Sequence, residues 1–336
     1  MRGAVNDRAA TGCPIGIISF CSCGAIYLLK YIALMKITHQ AFVRGSHSIR
    51  LLSSLAVLLA VALPRGATAQ EAINPVNSTS CPVEEYFSSW FRRVSKIQSE
   101  QPHWITPLTT VTPRLEEELR YDQSWETTDS GSHLTSFGGG KGLELIPCEN
   151  VEVILGVPAY QTRNTSGTDG FADDSFLLKY CLTSANEENG NYIVTAFLGL
   201  QAPTGSEQNT KRYYMVTPTL AFGKGWGDFD FQSTFGVTIP SDGTVPTGPG
   251  TPLQLNTAFQ YRIIKVLWPE FEVNYTYWPD GEHDGKNQVF LTPGFLIGRL
   301  PIWGRVGLTI GLGYQVAVTD NPTYNHNVVL SARLPF

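Results

Sequence analysis

Glu118, Arg120, Asp122, Glu152, Lys179, Asp228, Asp230, Arg262, Glu270, Glu272, Arg305 and Arg333 each occupy the polar row of a stretch that alternates polar and apolar residues. Residues two apart on a strand share a face. All these charges would therefore point to one side of a sheet. Charges held away from water need partners, and both signs are present. Two readings fit: cross-strand ion pairs that fill an interior, or rings of charge that line a narrow polar channel and bias what passes. Neither sign dominates, so no strong ion preference follows.

The remaining candidates for chemistry are weaker. Gly138-Gly-Gly-Lys-Gly142 has the look of a phosphate loop. It lacks a Ser or Thr after Lys141 and no helix follows, so it reads as strand glycines in a curved sheet. Asp280-Gly-Glu-His-Asp-Gly285 opens like a calcium loop, but the twelfth position is Leu291 rather than Glu. It reads as a solvated acidic turn. His133, His283 and His326 fall in or beside polar connections. None stands in a nucleophile motif. No catalytic residue, metal site or cofactor follows from these motifs.

The chain has 336 residues, is 16 % charged and 11 % aromatic, holds 32 glycines and carries a net charge of −5. That balance gives no basic footprint for nucleic acid. Near the N-terminus Lys36, Arg44 and Arg50 precede an apolar run, Leu51 to Leu63, and Ala67-Thr68-Ala69. This is the plan of a signal peptide over 35–69. Residues 1–34 do not fit that plan and read as an over-extended start. Beyond the signal no stretch reaches the roughly 18 apolar residues of a membrane-spanning helix.

Residues 70–113 read as an N-terminal helix and linker. Val83, Phe87, Trp90, Phe91, Val94 and Ile97 recur at helical spacing, with acids at the start and bases at the end. Such a helix could pack on the end of the following domain or enter it as a plug. Pro102, Pro107 and Pro113 then mark an extended linker. From residue 114 to 336 the period is two. In the stretch 303–318, Val306, Leu308, Ile310, Leu312 and Tyr314 alternate with Arg305, Gly307, Thr309, Gly311 and Gly313. The same rule holds over 192–202, 212–223, 227–239, 254–263 and 270–278. The last strand ends at Phe336, with Val328, Leu330, Ala332 and Leu334 on the same face.

About twelve strands result, an even number. Periodicity alone does not separate a soluble sandwich from a barrel in lipid. The connections do. Short ones fall at Pro147–Asn150, Gly223–Gly227, Val266–Pro269 and Arg299–Trp303, with Asn186–Gly190 the least short of that set. Longer ones fall at Arg163–Gly170, Pro203–Lys211, Pro240–Pro252, Pro279–Lys286 and Thr319–His326. Alternation of short and long loops is the habit of a transmembrane antiparallel up-and-down β-barrel, short turns facing the periplasm. Trp268, Trp278, Trp303, Tyr277 and Tyr324 fall near strand ends, where aromatic girdles sit. The reading is an all-β outer-membrane barrel in contact with lipid and lipopolysaccharide.

Three cysteines remain after the signal: Cys81, Cys148 and Cys181. Cys81 and Cys148 would both lie at the periplasmic end, where disulfides form, and make the candidate pair. A Cys81–Cys181 bridge would require the helix to enter the lumen. Three free thiols are the remaining alternative.

Gly170-Phe-Ala-Asp-Asp-Ser-Phe-Leu-Leu-Lys-Tyr-Cys-Leu182, Ala202-Pro-Thr-Gly205 and Thr217-Pro-Thr-Leu-Ala-Phe-Gly223 resemble motifs of the "MetA-pathway of phenol degradation" family of outer-membrane proteins. The resemblance covers roughly residues 104–336. Ala172 stands where that family has glycine. It implies a channel or transporter for small molecules, hydrophobic or aromatic compounds among them, crossing by passive diffusion through a charged lumen. The terminal Phe336 pattern is similar to the signal by which outer-membrane barrels are recognised by their assembly machinery. A structural or adhesin-type barrel without an open pore, and a hydrolase at the rim, are the competing classes.

Overall fold

The computed structural model describes residues 82–128, 130–139, 141–165, 167–241 and 248–336. Sixteen hydrogen-bonded segments build twelve staves of one closed antiparallel barrel. They are β1 (Glu118–Thr127), β2 (His133–Phe137), β3 (Leu143–Cys148), β4 (Val151–Leu155), β5 (Tyr160–Arg163), β6 (Gly170–Phe171), β7 (Asp174–Ala185) and β8 (Tyr192–Ala202). Then come β9 (Met215–Trp226), β10 (Phe229–Val237), β11 (Ile239–Pro240), β12 (Leu253–Tyr261), β13 (Leu267–Tyr277), β14 (Asn287–Trp303), β15 (Val306–Ala317) and β16 (His326–Pro335). Four staves are each interrupted, as β2/β3, β4/β5, β6/β7 and β10/β11. The ring closes where β16 pairs β1 along Glu118↔Pro335 to Thr127↔His326. Closure removes the long edges; among the described segments the two-residue β6 and β11 each pair on one side only.

Alternation decides which face is which. Ile310, Leu312 and Tyr314 are exposed, while Thr309 and Gln315 on the same strand are buried. Leu119 and Tyr121 are exposed between buried Glu118 and Arg120. An apolar outside around a polar inside is the pattern of a barrel in an outer membrane. Trp226 and Trp303 stand outward at strand ends, but Trp268 and Trp278 are buried. Trp268 falls on the inward row with Glu270 and Glu272, so its parity places it in the lumen rather than in a girdle. The turn expected at Arg299–Trp303 also moves: β14 continues through Trp303, and Gly304 with a φ of +55° makes the tight turn.

The expected helix is two short ones, α1 (Pro82–Ser88) and α2 (Trp90–Ser99). They sit against the short turns. Tyr86 donates to the Pro147 carbonyl at 2.6 Å, and Lys96 pairs with Glu149 at 3.7 Å. Val94 and Ile97 bury against Trp104, Leu115, Ile146, Cys181 and Ile193. Cys148 is exposed and Cys181 buried. Cys81, and with it the expected Cys81–Cys148 pair, lies outside the described residues, as do the signal region and residues 1–34.

Candidate functional site: an occupied lumen

The linker after α2 does not stay outside. Residues 101–117 enter the barrel and turn back, so that Gln101 donates to the Leu115 carbonyl at 2.6 Å and accepts from its N–H at 2.9 Å, and Arg114 donates to the Trp104 carbonyl. Gln101, Trp104, Thr106, Leu108, Thr110, Thr112, Arg114, Leu115, Glu116 and Glu117 are buried. Three prolines, at 102, 107 and 113, fix φ and push their predecessors to extended backbone. An extended strand with no neighbouring strand still has to satisfy its backbone N–H and C=O groups. Here the wall's side chains do so.

Acids take the amides. Glu270 accepts from the Leu108 N–H at 3.2 Å, and Glu272 accepts from the Thr109 and Thr110 N–H groups at 2.7 and 2.6 Å and from the Thr109 hydroxyl at 2.6 Å. Glu152 accepts from the Glu116 N–H at 2.6 Å. Bases take the carbonyls. Arg333 donates to Thr106 and Pro107, and Arg120 to Leu108. Lys179 donates to the Arg114 carbonyl at 3.0 Å while pairing with Glu152 at 2.8 Å. Gln232 donates to the Ile105 carbonyl at 3.0 Å and Thr195 to the Pro113 carbonyl at 2.6 Å. The mixed signs on the inward face thus match the two polarities of a peptide backbone.

Two apolar side chains of the segment seat in hollows that only glycine leaves open. Leu108 fills a hollow between Gly294, Gly311 and Gly313, where added Cβ atoms would come within 2.7, 2.5 and 2.7 Å of it. It packs there with Ile105, Trp268 and Leu296. Trp104 seats against Gly223 and Gly225, where a Cβ would come within 2.5 and 2.6 Å of the indole.

Of the expected inward charges, Glu118, Arg120, Glu152, Lys179, Asp230, Glu270, Glu272 and Arg333 are buried in the barrel, and Asp122 pairs with Arg120 at 2.7 Å. Asp228, Arg262 and Arg305 are exposed at the turn end of the barrel rather than buried within it. Asp228 and Arg262 form a half-exposed pair at 2.7 Å, with the Arg262 N–H donating to the Asp228 carbonyl at 2.8 Å and its guanidinium lying over the Trp268 ring at 5.5 Å. Arg305 lies in the Gly304 turn, donates to the Ser95 hydroxyl at 2.6 Å and covers the Phe91 ring at 5.0 Å. These three share the alternating row without sharing its burial. Sequence reasoning missed Gln101, Trp104, Leu108, Thr109, Arg114, Thr195 and Gln232. A run of apolar Trp104, Ile105, Leu108 and Leu115 in a supposed linker is the signal that could have found the segment.

The weaker motifs are structural. Gly139 and Gly142, with φ of +95° and +77°, carry the chain across the break between β2 and β3. Beside this break a cavity of about 210 Å³ is lined by Asp122, Ser124, Ser136, Gly138, Ala159 and Val329. Asp280 accepts from the Thr251 N–H and, at 2.6 Å, from its hydroxyl, which ties two long loops together. His133 contacts the Thr127 hydroxyl at 3.0 Å, His283 lies against Trp278, and His326 against Tyr314.

The family model described as "Putative MetA-pathway of phenol degradation" matches residues 119–325. The chain belongs to that family. Among solved structures it is similar to the COG4313 outer membrane channel from Pseudomonas putida F1. The two are 16 % identical over 69 % of this chain and 100 % of that one, with a TM-score of 0.51. It is also matched to the transport unit of the autotransporter AIDA-I from Escherichia coli, at 12 % identity over 72 % of this chain and 96 % of that one, with a TM-score of 0.35. A comparison with curated proteins gives no match. The first likeness supports the same fold, and family, fold and outward apolar face agree on the outer membrane.

Proposed function

We propose that this family member passes small molecules, hydrophobic or aromatic ones among them, through the barrel by passive diffusion, and that residues 101–117 act as the gate. The observation that carries this reading is the way the segment is held. Its contacts are side-chain hydrogen bonds to backbone and two seated knobs, Trp104 and Leu108, rather than a strand ladder or a covalent tie. Each such hydrogen bond contributes about 0.5–3 kcal/mol net. Water or a solute can replace them one at a time. A permanently filled structural barrel would be expected to close its interior with side chains from its own wall. The reading assigns no catalytic role to His133, His283 or His326.

Removing residues 101–113 and recording the chain in planar bilayers tests the proposal. The expected outcome is a conductance several-fold above that of the full chain, with faster uptake of small aromatic solutes into liposomes. Equal, near-zero conductance in both forms would overturn it in favour of a structural barrel.

A further inference from the structure

The end of the lumen away from the helices carries an arrangement that the gate does not explain. Phe290 points inward from β14 and is 3 % exposed. Tyr324, from the connection between β15 and β16, lies nearly flat on it, with ring centroids 4.4 Å apart and planes at 20°. The Tyr324 hydroxyl donates to Oε1 of Gln315. That oxygen is held in place from behind. Gln315 Nε2 donates to Asn274 Oδ1 at 3.1 Å, and Asn274 Nδ2 donates to Asn256 Oδ1 at 3.2 Å; Asn274 also meets the gate, its Oδ1 accepting from the Thr109 hydroxyl at 3.1 Å. Thr292, the next inward residue after Phe290 on β14, is fully buried, and its hydroxyl has no hydrogen-bond partner among the described residues.

A six-membered ring stacked on an aromatic face, with its hydroxyl received by a fixed amide oxygen, is a bound phenol. Here the phenol is covalently part of the chain. It sits on a loop rather than on the wall, and loop positions open at lower free-energy cost than strands. Burial, and next the Glu126 carboxylate, hold the Tyr324 hydroxyl above its ordinary pKa, so it remains a donor across the physiological range. Stacking alone accepts any flat ring. The amide acceptor is what selects a hydroxyl: without one, Gln315 Oε1 keeps only the long contact from Asn327 Nδ2 at 3.5 Å, and an under-satisfied buried acceptor is penalised.

We propose that Phe290, Gln315 and the amides behind it form a binding site for a hydroxylated aromatic solute, and that Tyr324 is its resident occupant, displaced when such a solute arrives. This deepens the passage reading by naming a solute class for the outer end of the same lumen, and its role in transport rests on that reading. The affinities that test the site are read on the full chain, with the gate in place.

The test uses the full chain in lipid nanodiscs, with p-cresol, which is the tyrosine side chain as a free molecule, and toluene, which lacks the hydroxyl. Calorimetric titration gives both affinities. Tyr324→Ala removes the competitor. If the site is vacated by Tyr324 about one-tenth of the time, p-cresol binds roughly tenfold more tightly to Tyr324→Ala than to the native chain. In Tyr324→Ala, p-cresol is expected to bind better than toluene. Adding Gln315→Leu should remove that preference while toluene still binds, which also reports that the site is intact. Adding Phe290→Ala should weaken both. Affinity for p-cresol that is the same with and without Tyr324, or a preference for p-cresol that survives Gln315→Leu, overturns the proposal. Because these affinities are measured on chains that keep residues 101–113, a gate-deletion variant that stays closed would sink the passage reading without altering them.

Discussion

A Cβ atom on Gly311 would stand 2.5 Å from Cδ2 of Leu108, so the wall keeps a glycine where the inner segment places a leucine. The contact joins residues just over two hundred positions apart. It also gives a direct handle on the gate. Gly311→Val fills the socket, and overpacking of this kind costs about 1–3 kcal/mol. The segment, held by replaceable hydrogen bonds, should yield before the wall does. Conductance in planar bilayers should rise several-fold. Leu108→Ala alone, a change that typically costs 2–5 kcal/mol in a packed site, should also loosen the segment. The double variant should be closer to closed than Gly311→Val alone, since the smaller side chain again fits. If conductance in the double variant equals the sum of the two increases, the socket is not what holds the segment.

Glu272 makes the densest set of bonds to the segment, receiving two backbone N–H groups and one hydroxyl. Glu272→Gln keeps the size and removes the charge. Hydrogen bonds to a charged group contribute about 1.5–3 kcal/mol each, so the residues around Thr109 should open more often. A thiol introduced as Thr109→Cys in a cysteine-free background reads this as labelling by a water-soluble maleimide. Labelling at least tenfold faster in the Glu272→Gln background is expected. Equal rates would mean that Glu272 does not retain the segment.

The wall was legible in the sequence for a physical reason. Lipid leaves no backbone group without an internal partner, so every stave must be a full strand with its two faces sorted, and that sorting is written as alternation. Ile310 against Thr309 is readable residue by residue. The gate was not legible in the same way. Residues 101–117 have no strand neighbour, so nothing imposes a period on them. Their prolines announce extended backbone but not a location. Glu272 and Arg333 were readable as inward charges. Their partners were not, because a peptide amide and a peptide carbonyl leave no trace in sequence as binding targets. Gly311 and Gly313 read only as the small members of an alternating row until Leu108 is placed against them. Asp228, Arg262 and Arg305 are exposed at the turn end, because alternation tells which face a residue takes and not how far along a strand burial extends.

Where the chain leaves α2, Glu187 in the β7–β8 turn accepts from the His103 N–H at 2.6 Å and contacts its ring Nδ1 at 2.8 Å. Partial burial raises the pKa of this carboxyl, but the bonds from the His103 ring and then from its amide outweigh that and hold it below the ordinary glutamate range. The sign follows directly. A carboxyl depressed on folding contributes stability that is present above its unfolded pKa, about 4.3, and is lost as pH falls through the folded value. Entry of the segment into the barrel should therefore loosen below about pH 4. Thr109→Cys labelling should rise as pH drops through that window, read with an acid-tolerant thiol reagent. Glu187→Gln should already label faster at pH 7 and show a flatter profile. A Glu187→Gln profile that overlays the native one would remove this residue from the gate.

Ile310 tests the orientation of the whole wall. It sits mid-strand on β15, exposed, opposite Ile297 on β14 and Ala332 on β16. In a soluble sheet with this face in water, Ile310→Arg would be close to neutral. In a bilayer the guanidinium enters hydrocarbon, at a cost of about 2–4 kcal/mol near the midplane and about 0–1 kcal/mol near an interface. Trp303, at the start of the turn that leads into β15, supplies the internal comparison, because it stands outward at the strand end. Trp303→Arg should be tolerated where Ile310→Arg is not. Reversible urea unfolding in lipid vesicles gives both differences directly. A penalty for Ile310→Arg at least 2 kcal/mol above that for Trp303→Arg is expected. Equal penalties would mean that the apolar row of β15 does not face the membrane interior, and the inward assignment of Gly311, Gln315 and their partners would fall with it.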